Sequence, residues 1–381
     1  MKKILLIVLL AAPMFVSAQK KGAKTGPKVF DLVIGTYTGA DEKASKGIYV
    51  YRFYAERGQS AYLNEVETSN PSFLTVTGDG KFVYCVNENN PDGTGGVSAF
   101  KFDKQTGKLD LINQQKTKGS PAHISVDKDQ KNVFVSNYGG GNLQVFPINK
   151  DGSLGQANQT IQDVGRGTNP DRQSEPHVHS AFLSPDEKYL VVSDLGLDKI
   201  NFYRYKSSKV PSLTPADPAF VSTAPGSGPR HTTFSNDGKF MYNVQEMKAT
   251  ITVYAYNNGK ATEIQVINMM PPSFIGTNGA ADIHITPDGR YLYASNRGTA
   301  NEIACFAIDQ VTGKLVYRGG YSTIGETPRN FAIDPTGNFL LVGTSKKIFV
   351  FSIDKATGRL MQNREAIDVA SAVCLKLVPV E

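Results

Sequence analysis

Residues 228–246, GPRHTTFSNDGKFMYNVQE, read as a β-hairpin. Apolar and β-prone side chains alternate on both sides of Asn236-Asp237-Gly238, a triplet that tolerates the backbone angles of a tight turn. With Asp237 as reference, comparable turns stand at Gly78-Asp79-Gly80, Lys128-Asp129-Gln130, Pro185-Asp186-Glu187, Pro287-Asp288-Gly289 and Pro335-Thr336-Gly337. Each lies between an apolar segment and a second one rich in Val, Tyr and Phe. A recurrence of roughly fifty residues falls in the range of propeller blades.

The register also holds away from the turn. Nine residues after the reference stand Glu88, Tyr138, Leu195, Glu246, Arg297 and Ser345, preceded by Asn87, Asn137, Asp194, Gln245, Asn296 and Thr344. Seven residues before it stand Ser72, Ala122, His179, Arg230, Ala281 and Arg329. A hairpin returns its second strand to the end where the first began, so Arg230 is expected near Glu246. The first strand of each blade lines the channel of a propeller, which places these entry and exit positions in rings around one mouth.

Six turns leave a seventh blade to be assembled from the chain ends. Residues 31–37, DLVIGTY, resemble the second strand of the other blades, with Tyr37 in the place of Glu88 or Glu246. Residues 47–53 and 61–67 supply its outer strands, and 372–378, AVCLKLV, its missing first strand. The expected fold is therefore all-β: a seven-bladed β-propeller with four antiparallel strands per blade, the last blade closed by the N- and C-terminal strands. No linker interrupts the repeat, so 29–381 is read as one domain.

Residues 1–18 read as a cleavable secretory signal: Lys2 and Lys3, an apolar stretch too short to span a bilayer permanently, and Val16-Ser17-Ala18 as cleavage site. A periplasmic or secreted product without a membrane anchor is expected. Residues 19–28 form a basic arm whose lysines are read as solvating. The formal charge of +6 falls by two once Lys2 and Lys3 leave, and no arginine cluster or aromatic ladder accompanies it, which argues against nucleic acid as partner. Cys85, Cys305 and Cys374 lack metal-site spacing and are read as buried thiols, with a Cys85–Cys374 disulfide the lesser alternative. The D-x-x-T-G turns at 103–107, 309–313 and 354–358 are read as structural.

The stretch 164–179, VGRGTNPDRQSEPHVH, lengthens its interval with Gly, Pro and charge, and long polar insertions on a rigid scaffold are where binding groups gather. It makes Arg166, Arg172, His177 and His179 candidates to hang over the mouth. His123 and His231 are read as hydrogen-bonded packing residues between blades, and His284 as core. Asn137, Asp194 and Asn296 are expected to bond strand ends, and Asn137 and Asn296 are also carried as substrate-contact candidates.

These segments resemble the lactonases with a seven-bladed β-propeller, which include bacterial propeller-type 6-phosphogluconolactonases and fungal carboxymuconate-lactonizing enzymes. The likeness rests on Ile34-Gly35-Thr36-Tyr37-Thr38, Val135-Ser136-Asn137-Tyr138-Gly139-Gly140, Asn169-Pro170-Asp171-Arg172-Gln173 leading to Pro176-His177-Val178-His179-Ser180, Gly228-Pro229-Arg230-His231, and Ala294-Ser295-Asn296-Arg297-Gly298, in this order over nearly the whole mature chain. The resemblance implies catalytic groups at His179 (or His177), Arg230, Glu246 and Arg297, with no metal and no cofactor. His177, Arg172, Asn137 and Asn296 complete the expected site as substrate contacts.

Lactone opening needs a base to activate water and a positive group where the carbonyl oxygen gains charge. Glu246 or His179 is a candidate for the first role, Arg230 or Arg297 for the second. No G-x-S-x-G elbow is present, which disfavours a serine acyl-enzyme. The expected partner is a small anionic lactone or sugar acid, and the expected activity that of a 6-phosphogluconolactonase-like hydrolase. Two other classes stay open at this point: a propeller that binds sugar acids or anions without chemistry, and a cycloisomerase acting on a muconate-type lactone.

Overall fold

The computed structural model describes residues 28–41, 43–89 and 94–380, apart from the side chain of Arg364. The segments expected to be a secretory signal and most of the basic arm, 1–27, lie outside the described residues. The chain folds into seven four-stranded antiparallel sheets. Their innermost strands are Ala372–Pro379, Leu74–Val76, Pro121–Val126, Val178–Leu183, Pro229–Phe234, Ala280–Ile285 and Asn330–Ile333, and each touches the next, so the ring closes. We number the blades 1 to 7 in that order.

Blade 1 takes its innermost strand from the C-terminus and its next from the N-terminus: Ala372–Pro379 pairs with Val29–Thr36, Leu375 opposite Ile34 and Leu377 opposite Leu32. The remaining strands, Gly47–Tyr54 and Gln59–Glu67, complete it. Joining the two ends of the chain inside one sheet removes the unpaired edges of an open array.

The recurring Asp is explained by the turn it builds. The Asp79, Asp186, Asp237 and Asp288 carboxylates each accept a bond from the hydroxyl two residues earlier, on Thr77, Ser184, Ser235 and Thr286, at 2.6–2.7 Å. In blades 3 and 7 that earlier residue is itself acidic, and Asp127 and Asp334 accept backbone N–H groups of the following strand directly. The third residue of each triplet has a positive φ, from 53° at Gln130 and Glu187 to 75° at Gly289. Glycine holds that conformation at the other turns because it lacks a Cβ.

Apolar side chains of adjacent blades interlock: Tyr242, Val244 and Ile251 of blade 5 pack with Ile283, Leu292 and Phe306 of blade 6. Each such fully buried large side chain contributes roughly 1.5–3 kcal/mol. The D-x-x-T-G turns lie on the exposed rim, where Asp103, Asp309 and Asp354 cap their own backbone.

All three cysteines are buried and free, so the disulfide alternative for Cys85 and Cys374 is discarded. Burial pushes the Cys85 and Cys305 thiols up to about 12, which leaves them protonated and inert. His284 departs from the core assignment. Its ring is about one-third exposed, and Nε2 meets Asp282 Oδ2 at 2.8 Å.

Candidate active site

The hairpin geometry brings the entry and exit positions to one end of the ring, around a cavity of about 320 Å³. Every blade contributes to its wall: Tyr37, Glu88, Ala122 with Tyr138, His179, Glu246, Arg297 and Arg329, from blades 1 to 7 in turn, with Arg172 reaching in from the loop before blade 4. The size suits a small molecule.

Local irregularity aims the entry residues. The pairing of first and second strands slips between Pro121 and His123, between Val178 and Ser180, and between Pro229 and His231. Ala122, His179 and Arg230 are the extra residues at these β-bulges, and a bulge bends the strand and redirects its side chain. The same register that repeats the turn therefore repeats a kink at the mouth.

Glu246 is the hub of the charged wall. Its Oε1 accepts from Arg172 Nη2 at 2.7 Å, its Oε2 from Arg230 Nε at 2.9 Å, and Arg297 Nη2 lies 3.2 Å from the same Oε2. Burial works to raise its pKa, but Arg297, Arg230 and Arg172 outweigh that and hold it at about 2. Arg230 is fully buried, and burial first, then Arg297 and Arg329, pull its pKa down. A guanidinium paired at 2.9 Å with a carboxylate this acidic stays charged. Arg297 is further fixed by Nε donating to the Gly279 carbonyl at 2.9 Å.

His179 is 3 % exposed, and its Nδ1 has no hydrogen-bond partner among the described residues. Burial, with Arg230 and other cations behind it, pushes its pKa well below the ordinary value, so the ring is neutral at pH 7. Below it sits a layer of rings: His231 5.4 Å from His179 and 5.6 Å from His123. His231 Nδ1 bonds Asp282 of the next blade at 2.8 Å, and His123 Nδ1 accepts from the Ala181 N–H at 3.4 Å, which is the inter-blade role expected of both.

His177 does not face the cavity wall. Its ring stacks on Tyr138, centroids 4.3 Å apart, and Nδ1 meets the Tyr138 carbonyl at 3.0 Å. It props the Tyr138 ring, which stands edge-on to His179. Arg172 is delivered by a built loop: Gln173, wholly buried, accepts from the Thr168 and Asn169 N–H groups and donates to the Leu195 carbonyl. Arg166, on the same loop, is exposed and takes no part in the cavity.

Two expected substrate contacts are corrected. Asn137 and Asn296 are wholly buried. Asn137 Nδ2 donates to Asn142 and Gln144, and Asn296 Oδ1 accepts from the Gly279 N–H. Each precedes a mouth residue by one position, and alternate residues of a strand point to opposite faces.

The sequence reading did not place Tyr37, Glu88, Tyr138 or Arg329 among the site residues. Tyr37 donates to Glu88 Oε2 at 2.8 Å, and the Arg329 guanidinium lies over the Tyr37 ring, 5.5 Å from its centroid. The signal that would have found them is the register itself, since all four occupy the same entry and exit rows as Arg230 and Glu246. Among the described residues no three His, Cys, Asp or Glu side chains are grouped to hold a metal ion.

A closed ring of seven four-stranded blades with a cationic, carboxylate-anchored cavity at one mouth defines a propeller with a cavity of small-molecule size. Residues 31–377 match the family model described as lactonase, 7-bladed beta-propeller, and the chain belongs to that family of lactone hydrolases. It is 36 % identical over 353 residues to a 6-phosphogluconolactonase of Formosa agariphila, covering 91 % of this chain and 99 % of the relative. A Bacillus subtilis 6-phosphogluconolactonase is 34 % identical over 351 residues, 91 % of this chain and 97 % of that one. The solved structure of a periplasmic gluconolactonase from Pseudomonas aeruginosa superposes with a TM-score of 0.86 at 37 % identity, covering 93 % of this chain and all of that one.

Proposed function

We propose that this chain opens a sugar lactone of the 6-phosphogluconolactone type with water, using the cavity at the channel mouth. The observation that carries the reading is the excess of fixed positive charge there: Arg172, Arg230, Arg297 and Arg329 against the carboxylates of Glu88 and Glu246. A sugar acid or its phosphate ester is the anion such a wall attracts. Guanidiniums held before the reaction begins stabilise an oxyanion without reorganising for it.

In this reading Arg297, at the cavity wall, meets the lactone carbonyl as it becomes tetrahedral. Arg230 lies beneath Glu246 and orients it. Glu246 holds three guanidiniums in place and, with its pKa near 2, is poorly suited to accept a proton from water. His179 is neutral and offers an acceptor, but its depressed pKa makes it a weak one. Export to the periplasm is proposed from the leader at 1–18 and gains support from the periplasmic relative.

The test is a panel of phosphorylated and plain sugar lactones, with a muconate-type lactone beside them, followed by proton release at constant neutral pH. Wild-type protein is expected to accelerate opening of at least one sugar lactone well above the spontaneous rate. Stoichiometric binding of the sugar acid without turnover, or turnover of the muconate alone, sinks the proposal.

A further inference from the structure

Hydrolysis at this mouth needs a group that takes a proton from water, and the resemblance that points to Glu246 and His179 meets an obstacle in both. The oxygens of Glu246 are engaged by Arg172, Arg230 and Arg297 at 2.7–3.2 Å. His179 is buried among cations and other imidazoles. The cavity holds a second carboxylate, on Glu88. It belongs to blade 2, three blades round the ring of seven from Glu246 in blade 5, and so stands on the far side of the mouth.

Glu88 differs from Glu246 in what surrounds it. Its side chain is half-buried and lines the cavity. Oε2 accepts one hydrogen bond, from the Tyr37 hydroxyl at 2.8 Å, and no guanidinium forms an ion pair with it among the described residues. The backbone on both sides is tied down: the Glu88 N–H donates to the Asn70 carbonyl at 3.1 Å, and the Ser120 hydroxyl donates to the Glu88 carbonyl. Burial raises the Tyr37 pKa to about 12, so the phenol keeps its proton and serves as a steady donor. Arg329, over the Tyr37 ring, places positive charge next to this pair without bonding it.

We propose that Glu88 is the proton acceptor that activates the attacking water, with Tyr37 fixing its carboxylate. The inference rests on the hydrolase reading above. Glu88 takes one proton from water as the hydroxyl oxygen bonds to the lactone carbonyl carbon, whose oxygen becomes negative against the guanidinium wall. The intermediate then collapses, the bond from that carbon to the ring oxygen breaks, and the ring oxygen takes the proton back from Glu88. The product is the open hydroxy acid, which loses its carboxyl proton to solvent. Atoms and charge balance with water as the only co-reactant.

The experiment uses the lactone that wild-type protein opens fastest. Glu88→Gln keeps the shape and an oxygen for Tyr37 to bond. It is expected to lower kcat at least 100-fold, the lower end of what a positioned base contributes, with KM within a few-fold and the melting temperature unchanged. Glu88→Ala is expected to regain part of its rate on addition of formate, a carboxylate small enough for the vacated space. A Glu88→Gln variant with wild-type kcat overturns the assignment, and so does a Glu88→Ala loss that formate does not relieve. If wild-type protein opens no lactone, the hydrolase reading falls and takes this step with it. An active wild type beside an unimpaired Glu88→Gln removes Glu88 alone.

Discussion

Glu246 is where the physics of single residues is most concentrated. One carboxylate meets three guanidiniums, of which Arg230 is almost out of water and Arg297 is 17 % exposed. Removing one partner of a buried ion pair leaves the others uncompensated, which costs on the order of 3–5 kcal/mol. Glu246→Gln is therefore expected to lose that much stability in urea unfolding as well as its activity. The linkage has a definite sign. The folded pKa is depressed to about 2, so the stabilisation is complete above the ordinary carboxylate range and fades as pH falls toward 2. Wild type and variant should converge in stability as the solution is acidified, and a constant difference down to pH 2 would contradict the hub role.

At the scale of elements, the loop before blade 4 is held at its base by the buried Asp194 carboxyl. Asp194 Oδ1 accepts from the N–H groups of His177 and Leu197, while Oδ2 is buried with no hydrogen-bond donor among the described residues. Burial, and after it the adjacent Asp163 carboxyl, push the Asp194 pKa up. A raised acid pKa means that the folded state binds a proton the unfolded chain has released. Stability accordingly declines as pH climbs above the ordinary carboxylate range. Asp194→Asn keeps the acceptor and cannot ionise, so its melting temperature should exceed the wild-type value increasingly from pH 5 to pH 8.5. Parallel curves would show that Asp194 is ionised in the folded protein across this range.

The elements also mark where sequence reading succeeded and where it stopped. The turn triplet and its offsets placed Arg230 beside Glu246 because a hairpin's register follows from its turn. The same entry and exit rows held Glu88, Tyr138 and Arg329, but family likeness drew attention to the His, Arg and Glu of blades 4 to 6. Asn137 and Asn296 went astray by one residue, which in a strand is the opposite face. The bulges at His179 and Arg230 left no mark in the hydrophobic pattern, since an extra residue at a strand end does not disturb the alternation that follows it. Nothing in residue order distinguished a carboxylate held by three arginines from one held by a tyrosine.

For the whole molecule, closure of the ring is what turns scattered residues into a site. Tyr37 and Arg329 are nearly three hundred positions apart in the chain, yet blade 1, built from both termini, sits next to blade 7 and stacks one on the other. Each blade contributes a side chain or two and none holds the cavity alone. The proposed activity is lactone opening at this shared mouth through its cationic wall. The most direct measurement is kcat/KM of Arg297→Ala against wild type on the fastest lactone, with melting temperatures recorded for both. A loss of at least 100-fold is expected, the scale of removing an oxyanion donor, in a protein that still melts cooperatively. Retention of the wild-type value by a folded Arg297→Ala protein would contradict it.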